Sequence, residues 1–144
     1  MKRQDKIYAV IDTNVLVSNF FSGKGKSNPS IIIDKVVEGT IIPIVNQEIL
    51  NEYQNVLSRP HFKFPLDAVT ILYEVFRQTG IVVEDQYIVS NEEFPDPKDI
   101  VFYEVRMAVD DSYLVTGNIK HFPQKPFVVT PAQMVEILKE KGLL

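Results

Sequence analysis

Two hydrophobic periods alternate along the chain. Lys6 to Ile11 carries the run Tyr8-Ala9-Val10-Ile11, with the length and character of a buried strand. From Val15 to Phe21 the apolar positions recur at helical spacing and end near Gly23. The polar stretch Ser22 to Asn28 reads as a loop; Ser27 or Asn28 can cap the next helix, with Pro29 in its first turn. That helix spans Ser30 to Glu38 and stops at Gly39. Thr40 to Val45 is a β-branched strand, and Pro43 implies that it is not flanked on both sides throughout. Asn46 reads as an N-cap. Gln47 to Leu57 follows as a helix with Ile49, Leu50, Tyr53, Val56 and Leu57 on one face.

Ser58 to Pro65 is a break. Leu66 to Thr79 is a helix ended by Gly80, and Ile81 to Glu84 a strand. Asp85 to Lys98 is loop, confined by Pro95 and Pro97. Asp99 to Val109 is helical, Tyr113 to Thr116 and Phe127 to Val129 are strands, and Pro131 opens a last helix through Lys139. Strands alternating with helices predict an α/β fold: a central parallel sheet with helices on both faces. The length of 144 residues, without a repeat or linker, fits one domain over residues 1–144. In such folds, sites form beyond the carboxyl ends of strands. Asp12, which interrupts the apolar pattern directly after Ile11, lies at such an end.

Composition narrows the chemistry. Without cysteine there is no disulfide, thiolate metal site or cysteine nucleophile, which fits a reducing cytoplasm. The apolar run after the charged N-terminus is too short for a signal peptide, and no stretch approaches a membrane span. The formal charge of −4 argues against a protein that coats nucleic acid electrostatically. It leaves room for an enzyme that meets phosphates through metal ions, which bring their own positive charge.

Four strand-to-helix regions carry polar groups able to converge: Asp12; Glu48 and Glu52, four apart on one helix; Asp96 and Asp99 around Pro97-Lys98; and Thr116-Gly117-Asn118 after a strand. Carboxylates gathered together repel and need a counter-charge. With only His61 and His121 as nitrogen ligands, an oxygen-rich set favours Mg²⁺ or Mn²⁺ over zinc. The stretch GKGKS is no phosphate-binding loop: the required upstream glycine is Phe20, and a helix, not a strand, precedes it.

The segments VIDTNVLVS, NQEILNEYQNVLSRP, DPKDIVFYEV and YLVTGNIKHFP, in this order and on these element types, resemble the signature blocks of PIN domains, in particular bacterial toxin components of toxin–antitoxin pairs. The resemblance implies a Rossmann-like sheet and Mg²⁺- or Mn²⁺-dependent hydrolysis of RNA phosphodiester bonds. It places the family acids at Asp12, Glu52 and Asp99 as metal ligands, with Asp96 just outside. Asn118 stands where the family usually has aspartate, one negative charge fewer. The resemblance further implies an RNA substrate, a small antitoxin partner and a homodimer.

Each residue also has a plainer reading. Asp12 and Asp99 can cap the helices that follow them, and Glu52 can be an exposed helix residue. Glu48 reads as solvent-facing, Asp96 as a turn residue before proline, and Asp110-Asp111 as a solvated turn. Thr116 can hydrogen-bond a ligand carboxylate or simply end a strand. His121 can pack on Phe122 and is not assigned as a ligand. Lys24, Lys26, Arg59, Lys63 and Lys120 can touch an RNA backbone or serve as surface charge. Two rival functions stand beside the ribonuclease: a non-catalytic PIN-fold module binding RNA or protein, motivated by Asn118, and a phosphoryl-accepting domain, disfavoured because no strand-end lysine follows a late strand.

Overall fold

β-Branched residues dominate the strand segments, and their burial sets the architecture. A computed structural model of the chain describes residues 6–22, 27–84 and 92–144. The strands are β1 (Ile7–Ile11), β2 (Ile41–Val45), β3 (Ile81–Val82), β4 (Tyr113–Val115) and β5 (Val128–Val129). The helices are α1 (Thr13–Ser22), α2 (Asn28–Glu38), α3 (Gln47–Leu57), α4 (Leu66–Thr79), α5 (Ile100–Met107) and α6 (Pro131–Glu140). All strand pairs are parallel, in the order β3-β2-β1-β4-β5. Ala9, Val10 and Ile11 of β1 are fully buried in succession. Successive side chains point to opposite faces, so both faces of the central strand are covered.

The predicted α/β fold with a central parallel sheet is therefore present, and the differences are local. α1 begins at Thr13, immediately after Asp12, rather than at Val15, so the polar triplet Asp12-Thr13-Asn14 is the strand-to-helix junction itself. α2 is capped by Ser27, whose hydroxyl accepts from the Ser30 N–H, and ends at Gly39 in the left-handed region at φ 90°. α3 is capped by Asn46. Pro43 pairs with Ala9 of β1, while β3 joins β2 only from Ile44 onward, which leaves the proline unflanked on its other side. Gly80 ends α4 by close approach: a Cβ there would lie 2.6 Å from the Phe76 carbonyl oxygen. Residues 1–5, the loop bases Lys24 and Lys26, and positions 85–91 of the predicted long loop lie outside the described residues.

The order decides where a site can form. From β1 the chain steps outward to β2 and β3, then returns to the opposite side of β1 for β4 and β5. Connections leaving β1 and β4 thus diverge, and a crevice opens beyond their carboxyl ends. Register places Ile11 opposite Val115, so the next residues, Asp12 and Thr116, face each other across it.

Candidate active site

Asp12 emerges from β1 at only 5% exposure. Its Oδ2 accepts from Thr116 Oγ1 at 2.8 Å and from Asn14 Nδ2 at 3.3 Å. Asn14 in turn accepts the Gly117 N–H at 3.0 Å, and Thr116 Oγ1 accepts the Asn118 N–H at 3.0 Å. The β1–α1 and β4 junctions are thereby latched together around one carboxylate. Burial pushes the Asp12 carboxyl up to about 6, against the Thr116 hydrogen bond and the Thr13 backbone N–H, which favour the charged form. The charges of Asp99 and Glu52 raise it further.

Glu52 comes from α3, where its Oε2 accepts the Thr13 hydroxyl at 2.9 Å. One residue later, the buried Tyr53 hydroxyl donates to the Ile11 carbonyl, the last of β1. This bond pins α3 to the end of the central strand and fixes the height of Glu52 above the sheet.

Asp99 closes a 3-10 turn over Pro97–Asp99 that leads into α5. Its carboxylate makes no cap hydrogen bond; Asp96 does that work, accepting the Lys98 N–H at 3.0 Å. The capping reading of Asp99 is thus displaced onto Asp96. Asp99 Oδ2 is buried without a hydrogen-bond partner, while His121 Nδ1 approaches it to 3.3 Å, within ion-pair range. Burial, then the charge of Asp96, raise the Asp99 carboxyl above the usual range; His121 opposes this, and Glu52 adds to the rise. A buried carboxylate oxygen whose only contact is this ion pair is costly to keep charged, and a bound ion or water is one way such an oxygen is satisfied.

These residues share one cleft of about 300 Å³, lined by Asp12, Glu52, Asp96, Asp99, Asn118 and His121, with Arg59 and Lys98 on its rim. The four predicted site residues Asp12, Glu52, Asp99 and Asn118 are thus brought to the same place. One expectation is not met: among the described residues, no three acid or histidine side chains gather closely enough to form a ready ion cage. Each acid is engaged by its own neighbour: Asp12 by Thr116, Glu52 by Thr13, Asp99 by His121. Mutual repulsion of like charges in a half-buried cleft favours that separation. The donor set itself fits a hard cation, with carboxylate and amide oxygens, among them the buried Asp99 Oδ2 that only the His121 ion-pair contact reaches.

Glu48 is exposed, as are Asp110 and Asp111, in keeping with their plain readings. Thr116 is the hydrogen-bond donor to a site carboxylate that the sequence allowed. Sequence reasoning passed over Thr13, Asn14, Tyr53 and Lys98. Their only signal was position, next to or one turn from a predicted acid. His121 turns to Asp99 instead of packing on Phe122. No helix among the described residues is long and apolar enough to cross a membrane.

A family model described as the PIN domain matches residues 8–120. No curated protein and no solved structure matches. The matched span runs from β1 to the turn after β4 and contains every residue of the cleft except His121, which directly follows it.

Proposed function

The chain belongs to the PIN-domain family, whose members are generally nucleases, and on that premise we propose that it is a Mg²⁺- or Mn²⁺-dependent ribonuclease hydrolysing RNA phosphodiester bonds. The observation that carries this reading is the meeting of Asp12, Glu52, Asp99 and Asn118, from four separate segments of the chain, in one cleft at the sheet's switch point. Asp12, Glu52 and Asp99 would hold the cation, and Asn118 would assist through its amide oxygen or a water. A divalent ion there supplies Lewis acidity toward water and offsets charge on the leaving 3′ oxygen.

The chain's own residues prepare that chemistry. Thr116 and Asn14 fix the Asp12 carboxylate, and the Thr116 hydroxyl with the Thr13 backbone N–H favours its charged form against burial. Thr13 orients Glu52. Arg59 and Lys98 on the rim meet the phosphate backbone and hold the scissile group over the acids. His121 Nδ1, beside Asp99, tempers the repulsion among the acids.

Within this reading the protein is a cytoplasmic toxin component, homodimeric and held inactive by a small antitoxin. Co-purification with a short partner protein tests that role; growth unaffected by expression without the partner contradicts it. The nuclease itself is tested by cleavage of RNA with Mg²⁺ or Mn²⁺, with and without chelator. Activity that survives unchanged in Asp12→Asn ends the proposal.

A second reading, a non-catalytic PIN-fold module binding RNA or protein, is favoured by the separated acids and by Asn118 in place of a carboxylate. Calorimetry discriminates the two. Heat of binding with millimolar Mg²⁺ or Mn²⁺ supports the enzyme, and its absence supports the module.

A further inference from the structure

We infer that the aromatic ridge beyond the carboxylate cleft, centred on Phe21, is a stacking subsite for an unpaired RNA base; this rests on the ribonuclease reading. The cleft does not end at the acids. Val17 of α1, Val56 of α3 and Arg59, just beyond the end of α3, continue its wall away from Asp12. Thr13, Val17 and Phe21 are spaced four apart, so they form one row along α1. Phe21 therefore stands about 12 Å along the helix axis from Thr13. A nucleic-acid strand following the cleft from the acids runs onto this ridge.

The ridge is built to present a ring. Phe21 is 64% exposed, yet its orientation is held by edge-to-face contacts with Phe62, at 5.4 Å, and Phe64, at 5.0 Å. Those two rings stack on each other at 4.9 Å and 12°, and Phe64 stacks again on Phe20. Phe62 and Phe64 arrive through the 3-10 turn Pro60–Phe62 that follows α3, with Lys63 held in the left-handed region at φ 56°. A preorganised ring loses little rotamer freedom on binding, and every base offers it a π-face.

Charge selects the occupant. Arg59 and Lys63 are exposed and flank the ridge, and neither forms an ion pair with a described residue. In a chain of net charge −4, cations without an ion-pair partner among the described residues, beside an open aromatic face one helical turn beyond Val17 of the cleft wall, match a single strand of bases and phosphates. A duplex keeps its bases stacked inside and cannot offer one to Phe21.

The chain contains no tryptophan, so Phe21→Trp installs a single fluorescent reporter. It is made in an Asp12→Asn background with chelator, so that binding is read without cleavage. Expected results are quenching by a short oligoadenylate, none by the same strand with abasic riboses, and little by a duplex. Phe21→Ala and Phe21→Leu should each weaken binding of the single strand about tenfold, with unchanged thermal unfolding. Leu retains apolar bulk without a π-face, which separates stacking from general hydrophobicity. Quenching in a protein whose wild type cleaves no RNA upholds the subsite and ends the nuclease reading. Cleavage retained with no quenching and full affinity in Phe21→Ala overturns the subsite alone. Conversion of a dimer to a monomer by Phe21→Ala, with RNA affinity unchanged, also overturns it and assigns the ridge to a protein interface.

Discussion

Replacing Asp12 by asparagine should abolish cleavage and at the same time stabilise the metal-free protein at neutral pH. The carboxyl titrates at 3.8 when solvated and at about 6 in the fold, with burial as the largest cause. At 1.36 kcal/mol per pH unit, keeping it ionised inside the protein costs about 3 kcal/mol. The sign follows from the raised value. The contribution of Asp12 to stability is fully present below pH 3.8 and is lost as pH rises through about 6. Asparagine keeps an oxygen for Thr116 and Asn14 and removes a negative charge from beside Asp99 and Glu52. It never ionises. Urea unfolding with chelator should therefore show Asp12→Asn more stable than wild type by about 2–3 kcal/mol at pH 8 and nearly equal at pH 4. In thermal melts the gain at pH 8 corresponds to about 5–10 °C for a chain of this size. Added Mg²⁺ should stabilise the wild type and leave the variant unmoved, because a ligand stabilises only a state that binds it. Equal differences at both pH values, or a variant less stable at pH 8, refutes the view that an ionised, desolvated carboxylate is the strained element of this site.

Other substitutions separate the supporting residues. Thr116→Val removes the hydrogen bond that favours charged Asp12, so the acidic limb of the pH–activity profile should move to higher pH by about one unit; an unmoved limb contradicts the latch. Asn118→Asp adds a carboxylate to the cleft. It should tighten Mn²⁺ binding in calorimetry and lower stability in chelator, and unaltered affinity places Asn118 outside the ion's reach. Tyr53→Phe leaves the buried Ile11 carbonyl without its donor and should cost about 1–3 kcal/mol in urea unfolding; a neutral effect would mean the β1–α3 pin is dispensable.

Much of the fold was legible in the sequence because it is written in local terms. Strand runs such as Tyr8–Ile11, caps at Ser27 and Asn46, the stop at Gly39 and the edge-limiting Pro43 each follow from the conformational preferences of a few adjacent residues. Asp12 was legible for a related reason: a carboxylate directly after a buried strand costs desolvation energy, so it stands out wherever the rest of the chain goes, whereas Glu52 and Asp99 were singled out only through the family resemblance.

What only the tertiary structure decided depends on groups far apart in sequence. Thr116 and Asp12 are separated by 104 positions, and only the β1–β4 register makes one the hydrogen-bond donor of the other. Tyr53 reads as one more apolar helix position until its hydroxyl meets the Ile11 carbonyl. In the sequence Asp99 reads as a cap candidate and Asp96 as a turn residue before proline. The turn gives the cap to Asp96 and leaves a buried Asp99 oxygen with His121 as its neighbour. The individual engagement of each acid was likewise beyond the sequence, because repulsion between carboxylates depends on distance, and distance between distant residues is a property of the folded chain.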